Sequence, residues 1–264
     1  MTAEPVTVAD PDDPRVADYL RLTDAAARAE HLFIAEGTLV IRQLLASPYP
    51  VRSVLLTPAR LNDLRSDLSQ HDLSVFLAEQ PVMNAIAGFD IHRGAVAAAE
   101  RLPLPTVADL AAGAGRLVVA EAITDHENMG ALFRNAAAFG VDGLLLDRQC
   151  CDPLYRRAVR VSMGHVLRVP FTRVDGWPGP LADLGRAGFT VLALTPAADA
   201  EPIDSVVAEA GERWALVVGT EGAGLSEGAM AAATRRVRIP MAAGVDSLNV
   251  ATAAAIALFA LSRR

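Results

Sequence analysis

The sequence contains no lysine: all 24 of its basic residues are arginine, set against 31 acidic residues for a net charge of −7. Cysteine is almost as scarce, with only the neighbours Cys150 and Cys151. Adjacent cysteines rarely bridge each other, so a disulfide scaffold is excluded, and no His/Cys spacing marks a zinc site. The pair reads as buried or half-buried thiols in a reducing compartment. No apolar run reaches the roughly 18 residues that a membrane span needs. The opening stretch MTAEPVTVADPDDPR is acidic and contains proline, unlike the basic and apolar regions of a signal peptide. A cytoplasmic location without a membrane partner is the expectation. Also missing are the Gly-Lys-Ser/Thr of a phosphate loop and the dinucleotide GxGxxG, which counts against a small-molecule enzyme on a nucleotide-binding sheet.

What is present is a globular composition, 52% hydrophobic and 21% charged over 264 residues, enough for two domains. The acidic balance weighs against a nucleic-acid partner, yet distribution matters more than the sum. Between Arg148 and Arg173 lie Arg156, Arg157, Arg160 and Arg168, with Asp152 the only acid in that stretch. Guanidinium forks match phosphate oxygens, so Arg156, Arg157 and Arg160 are candidates to grip an RNA backbone. A solvated helix face carrying salt bridges is the other reading of the same cluster.

The organisation is α/β throughout, with boundaries expected at residues 1–105 and 106–264. The first unit, Pro14 to Arg101, carries helical patterns at Pro14–Arg28, Gly37–Ala46, Pro58–Gln70 and Glu79–Ala87. Strand patterns fall at Val51–Thr57, Leu73–Leu77 and Gly94–Glu100. The stretch RLPLPTVADLAAGAG, Arg101–Gly115, reads as a linker. The second unit alternates RLVVAEA, GLLLD, VLRVPF, FTVLAL, WALVVG and RRVRIP with helices at Ala131–Phe139, Pro153–Val161, Pro180–Ala187, Glu227–Thr234 and Asn249–Ser262. Continuous apolar strands joined by helices predict a mostly parallel sheet, whose ligands bind beyond the carboxyl ends of the strands.

Three motifs follow strands. In ITDHENMGALFRNAAAFGVDGLLLD, Asp125 to Asn128 can start a helix and Gly140 can stop it. Arg134 lies about 200° from Leu132, off the apolar stripe, either pointing from the first half of the helix near the strand's carboxyl edge or on the surface paired with Glu127 or Asp142. In WALVVGTEGAGLSEGAM, Gly219, Glu221, Gly222 and Gly224 follow a buried strand, forming either a close-approach loop or a plain turn. In RVRIPMAAGVDSLNVATAAAIALFALSRR, Ser247, Leu248 and Asn249 open a helix that is apolar nearly all round. Such a helix must be buried on most sides, and its outward face, including Ala257 and Ala260, suits a second subunit. Ser247 and Asn249 suit plain N-capping equally well.

The combination NMGALFRNAAAFGVDGLLL, VVGTEGAGLS and IPMAAGVDSLNVATAAAIAL resembles the SpoU/TrmH branch of the SPOUT RNA methyltransferases. FIAEGTLVIRQLLASPYPVRSVLLT, Phe33–Thr57, resembles the substrate-binding domain that precedes many of them. One departure is FDIHRGAVAAAE, where His92-Arg93 stands in place of a Pro-Gln-Gly-like run. The resemblance implies a trefoil-knotted α/β catalytic domain behind a smaller N-terminal α/β RNA-binding domain. It implies methyl transfer from S-adenosylmethionine to a ribose 2′-hydroxyl by a homodimer, with ribosomal RNA as the expected substrate and transfer RNA as the alternative. It places Thr195, Gly219, Glu221, Ile239, Met241, Leu248 and Asn249 at the cofactor, and Asn128, Arg134, Glu221, Ser247 and Asn249 at the chemistry. A non-catalytic RNA-binding paralogue acting in ribosome assembly is the competing class.

Overall fold

A computed structural model describes residues 4–20, 31–220, 222–242 and 244–263. By its internal contacts the chain divides into two units, Met1–Pro103 with Pro153–Arg168, and Leu104–Asp152 with Val169–Arg264.

The first unit holds a five-stranded sheet built from β1 (Val6–Thr7), β2 (Leu32–Glu36), β3 (Val51–Leu56), β4 (Ser74–Leu77) and β5 (Ala95–Glu100), in the order β1-β4-β3-β5-β2. Helices α1 (Thr38–Leu45), α2 (Pro58–Leu68) and α3 (Gln80–Ala87) lie where the apolar periodicity places them. Of the helix expected over Pro14–Arg28, Pro14–Tyr19 forms a 3-10 helix, and the part beyond residue 20 lies outside the described residues. Strand β2 has no counterpart in the periodicity reading, because all five of its residues are buried and no alternation marks it. At its end the buried Glu36 meets Arg156, which also stacks on the Phe89 ring at 4.2 Å.

The stretch read as a linker contains a helix, α4 (Val107–Ala112). Its signal is a Thr106/Asp109 capping box, hidden in an alanine- and glycine-rich composition. Leu110 of α4 packs onto Gly143, where a Cβ would stand 2.9 Å from a Leu110 methyl group.

The second unit's sheet has seven strands in the order β10-β12-β9-β11-β6-β7-β8, all parallel. They are β6 (Arg116–Ala120), β7 (Gly143–Leu146), β8 (Phe171–Arg173), β9 (Thr190–Leu194), β10 (Glu201–Pro202), β11 (Trp214–Val218) and β12 (Arg235–Arg238). The intervening helices are α5 (His126–Ala138), α6 (Arg156–Val161), α7 (Gly179–Arg186), α8 (Ile203–Val206), α9 (Glu227–Ala232) and the final α10 (Val250–Ser262). Helix α6 belongs with the first unit by contact, although its sequence neighbours on both sides belong to the second.

The strand expected at VLRVPF does not form as such. His165–Leu167 is a 3-10 turn entered through Gly164 at φ +82°, and the strand is only Phe171–Arg173. The boundary between units falls inside that apolar run, so Val166 and Leu167 are buried in the first unit and Phe171 in the second. Periodicity cannot separate two such destinations. No described helix is long and apolar enough to cross a membrane.

Candidate active site

Because β12, β9 and β11 are adjacent and parallel, their carboxyl ends open onto one edge. There they enclose a cavity of about 430 Å³. Leu194–Pro196 leave β9, Val218–Thr220 leave β11, Ile239 and Met241 follow β12, and Ser247–Val250 lead into α10. The lining is glycine, aliphatic side chains and peptide groups, with few polar side chains. Such a wall suits a ligand held by shape and backbone hydrogen bonds.

Gly219 is required by the loop's own geometry. A Cβ there would stand 2.5 Å from both the carbonyl carbon and the oxygen of Gly224. The loop closes back on itself, the Gly224 N–H donating to the Thr220 carbonyl at 3.1 Å. Gly222 and Gly224 adopt φ of +88° and +70° with open space where a Cβ would point, so both turn the chain and leave room beside it.

Of the residues expected from sequence, Thr195, Gly219, Ile239, Met241, Ser247, Leu248 and Asn249 line this one cavity. Asn249 caps α10: its Oδ1 accepts from the Ala251 and Thr252 N–H groups at 3.0 and 3.2 Å. Its Nδ2 donates to Asn128 Oδ1 at 2.8 Å, which brings the first turn of α5 to the start of α10. Asn249 is therefore both a cap and a bridge. Glu221 lies outside the described residues.

Arg134 is placed elsewhere. Asp125 accepts from the N–H groups of Glu127 and Asn128, so α5 starts at His126, where the helix-start residues Asp125 to Asn128 put it and before the Ala131–Phe139 pattern begins. Arg134 is then the ninth of 13 residues, about 12 Å along the helix, and not in the first half as expected. It is exposed and does not line the cavity. It has no hydrogen bond or ion pair with a described residue. Asp142, its suggested surface partner, instead accepts from the backbone N–H groups of Gly115 and Arg116, each at 2.8 Å.

The arginine cluster separates into two groups. Arg148 pairs with Asp175, Arg156 with Glu36, and Arg173 donates to the carbonyls of Asp147, Cys150 and Cys151. Arg157, Arg160 and Arg168 are exposed. Arg156 thus has a structural role that the sequence does not reveal. The two cysteines are free, and burial pushes the Cys151 thiol up to about 11, so both remain thiols near neutral pH.

A parallel α/β unit whose glycine loop and C-terminal segment wall a cavity beyond three adjacent strands is a small-molecule-binding unit, its site where parallel sheets carry ligands. The chain belongs to the SpoU rRNA Methylase family, whose match spans residues 115–259. It is 45% identical over 262 residues to an uncharacterized tRNA/rRNA methyltransferase of Mycobacterium tuberculosis, covering 97% of this chain and 91% of that protein. It is 31% identical over 234 residues to a 23S rRNA (guanosine-2'-O-)-methyltransferase of a Burkholderia species, covering 85% of this chain and 93% of that one. An AdoMet-bound rRNA methyltransferase from Sinorhizobium meliloti superposes with a TM-score of 0.81 at 25% identity, over 99% of this chain and 98% of that chain.

Proposed function

We propose that this protein is a cytoplasmic S-adenosylmethionine-dependent RNA methyltransferase that methylates a ribose 2′-hydroxyl in ribosomal RNA and works as a homodimer. The observation that carries this reading is the cavity beyond β9, β11 and β12. Its volume of about 430 Å³ lies in the range of small-molecule sites, and its glycine-lined wall offers peptide groups to an adenine-sized ligand. Thr195, Gly219, Ile239, Met241 and Leu248 would hold the cofactor, with Glu221 in the same loop. The cofactor supplies a methyl group already activated on a sulfonium. The family's trefoil knot belongs to the same reading.

The protein's part is to orient the ribose and to ease loss of the hydroxyl proton. Ser247 presents an exposed hydroxyl at the cavity, and Asn249 is held by Asn128. Arginine stays protonated in proteins, so Arg134 acts as a phosphate clamp that assists ionisation of the hydroxyl instead of as a base. Its absence from the cavity wall of its own chain favours a site completed by a second subunit. The direct test is methyl transfer from labelled cofactor to ribosomal and transfer RNA, with 2′-O-methyl mapping. Label on transfer RNA alone would move the substrate, and label on a base would overturn the ribose assignment.

The dimer rests on α10. Val250, Ala251, Ala254, Ala257, Leu258 and Leu261 are buried within the chain, so Ala257 is not an outward residue as its sequence position suggests. The stripe left uncovered is Thr252, Ile256 and Phe259, with Ile256 39% and Phe259 50% exposed. Phe139, which caps the end of α5, meets Phe259 edge-on at 6.2 Å and extends the apolar surface there. A second copy related by a twofold axis would bury it. Ile256→Glu with Phe259→Glu should give monomers by light scattering, whereas charge at Ala257 should cause misfolding. A monomeric, fully active wild type would sink the dimer.

RNA binding is assigned to the exposed arginines. Replacing Arg160 and Arg168 by alanine should lower the slope of log affinity against log salt by up to about 2, roughly one per lost phosphate contact. The further loss of Arg156 should act on stability instead, since that side chain already holds Glu36 and Phe89. An unchanged slope in the double variant would leave a merely solvated surface.

A further inference from the structure

We propose that Glu121 is a positioning residue for the cofactor loop 219–225, its buried carboxylate fastening the far end of that loop to β6 and to Trp177. The inference rests on the reading of the cavity as the cofactor site. Glu121 follows β6 directly and is only 6% exposed. Its backbone N–H donates to the Val218 carbonyl at 2.9 Å, continuing the pairing of β6 with β11 up to the start of the glycine loop. Its side chain then reaches the end of the same loop, where Oε2 accepts from the Ser226 N–H at 2.9 Å. Oε1 accepts from the Trp177 indole Nε1–H at 2.6 Å. Helix α9 starts at this point, and its Gly228 abuts the Trp177–Pro178 turn, where a Cβ would stand 3.2 Å from Pro178 Cγ. One carboxylate thus joins the end of β6, the glycine loop and that turn.

Chemistry narrows the residue type. Both partners are N–H donors, so the group between them must accept on two oxygens, as a carboxylate does and an amide does not. No described residue forms an ion pair with Glu121. A buried carboxylate without a counter-ion is costly, and a neutral side chain would be cheaper if packing were its only task. The loop it anchors contributes Gly219, Thr220, Gly222 and Gly224 to the cavity wall. Near its base the loop is held by the Gly219–Gly224 apposition and the Thr220–Gly224 hydrogen bond, and beyond them by Glu121.

The test is Glu121→Gln in the full chain, with two readouts. The glutamine oxygen can accept from one N–H group, leaving its own NH₂ facing the other donor. Hydrogen exchange at the amides of residues 224–226, measured without cofactor, should quicken. The Kd for S-adenosylmethionine by calorimetry should rise about tenfold or more, while kcat at saturating cofactor stays within roughly threefold. Trp177→Phe keeps an aromatic ring of smaller size and removes the indole donor. Combined with Glu121→Gln it frees the amide oxygen for Ser226, so the double variant should bind cofactor more tightly than Glu121→Gln alone. A glutamate that served stability alone would show no such recovery. Wild-type exchange and Kd in Glu121→Gln overturn the proposal. If that variant does not fold, Glu121→Asp, whose shorter carboxylate cannot span both donors, must still quicken exchange at Ser226, and unchanged exchange there overturns it. Failure of the wild type to bind S-adenosylmethionine would overturn the cofactor reading, and the exchange experiment would still decide the tether.

Discussion

Arg134→Ala is expected to lower methyl transfer by about 100-fold or more, with the S-adenosylmethionine Kd within a few fold of wild type. Removing one preorganised donor from developing negative charge typically costs that much, and the loss appears in turnover when the contact belongs to the transition state. Cofactor affinity should hold because Arg134 lies outside the cavity wall. It sits well along α5, exposed and without a described partner, as an arginine reserved for something outside its own chain would. Mixing Arg134→Ala with Asn249→Ala protomers therefore has a definite expected result. Each mixed dimer would contain one site with both defects and one with neither, so activity should recover to roughly a quarter of wild type. No recovery would place Arg134 and Asn249 in one chain's site, and near-normal turnover of Arg134→Ala would remove the arginine from the mechanism.

Gly219→Ala should weaken cofactor binding on the order of 100-fold, about 2.7 kcal/mol, because the added methyl group displaces the loop that walls the cavity. The clash is with backbone, 2.5 Å from the Gly224 carbonyl, and backbone cannot swing aside as a flexible side chain would. The whole loop must shift. Gly222→Ala is the control: its φ of +88° imposes strain, but nothing lies within 4 Å of the added methyl group. That variant should lose some stability and keep most of its affinity. Equal binding by Gly219→Ala and wild type in calorimetry would show that the loop does not shape the cofactor site.

Much of the site is legible in the sequence because its residues follow strands. A parallel sheet sends every strand's carboxyl end to one edge, so Thr195, Gly219, Ile239 and Met241 converge although they are dispersed along the chain. Asn249 is legible as a helix cap, since capping is local chemistry. Its bond to Asn128, 121 residues away, has no local signature. The neighbours Val250 and Ala253 reach the cavity as part of a helix whose apolar residues look alike from every side. Glu121 carries no local signal, because an acidic residue ending a strand is ordinary and its two donors lie 56 and 105 residues further on.

The sequence by itself determined the class of fold, most of the helices and strands, and the cavity's position. These follow from hydrophobic period, from turn and capping residues, and from the rule that parallel strands share one edge. Tertiary structure decided the assignments that depend on partners distant in sequence. It gave Arg156 to Glu36 and Phe89, leaving Arg160 and Arg168 exposed. It divided VLRVPF between two units, turned Ala257 inward and Phe259 outward, and moved Arg134 away from the cavity of its own chain. The physical reason is common to all of them. Local pattern states that a side chain is apolar or charged, whereas its burial and its partner are set by which other segment the folded chain brings against it.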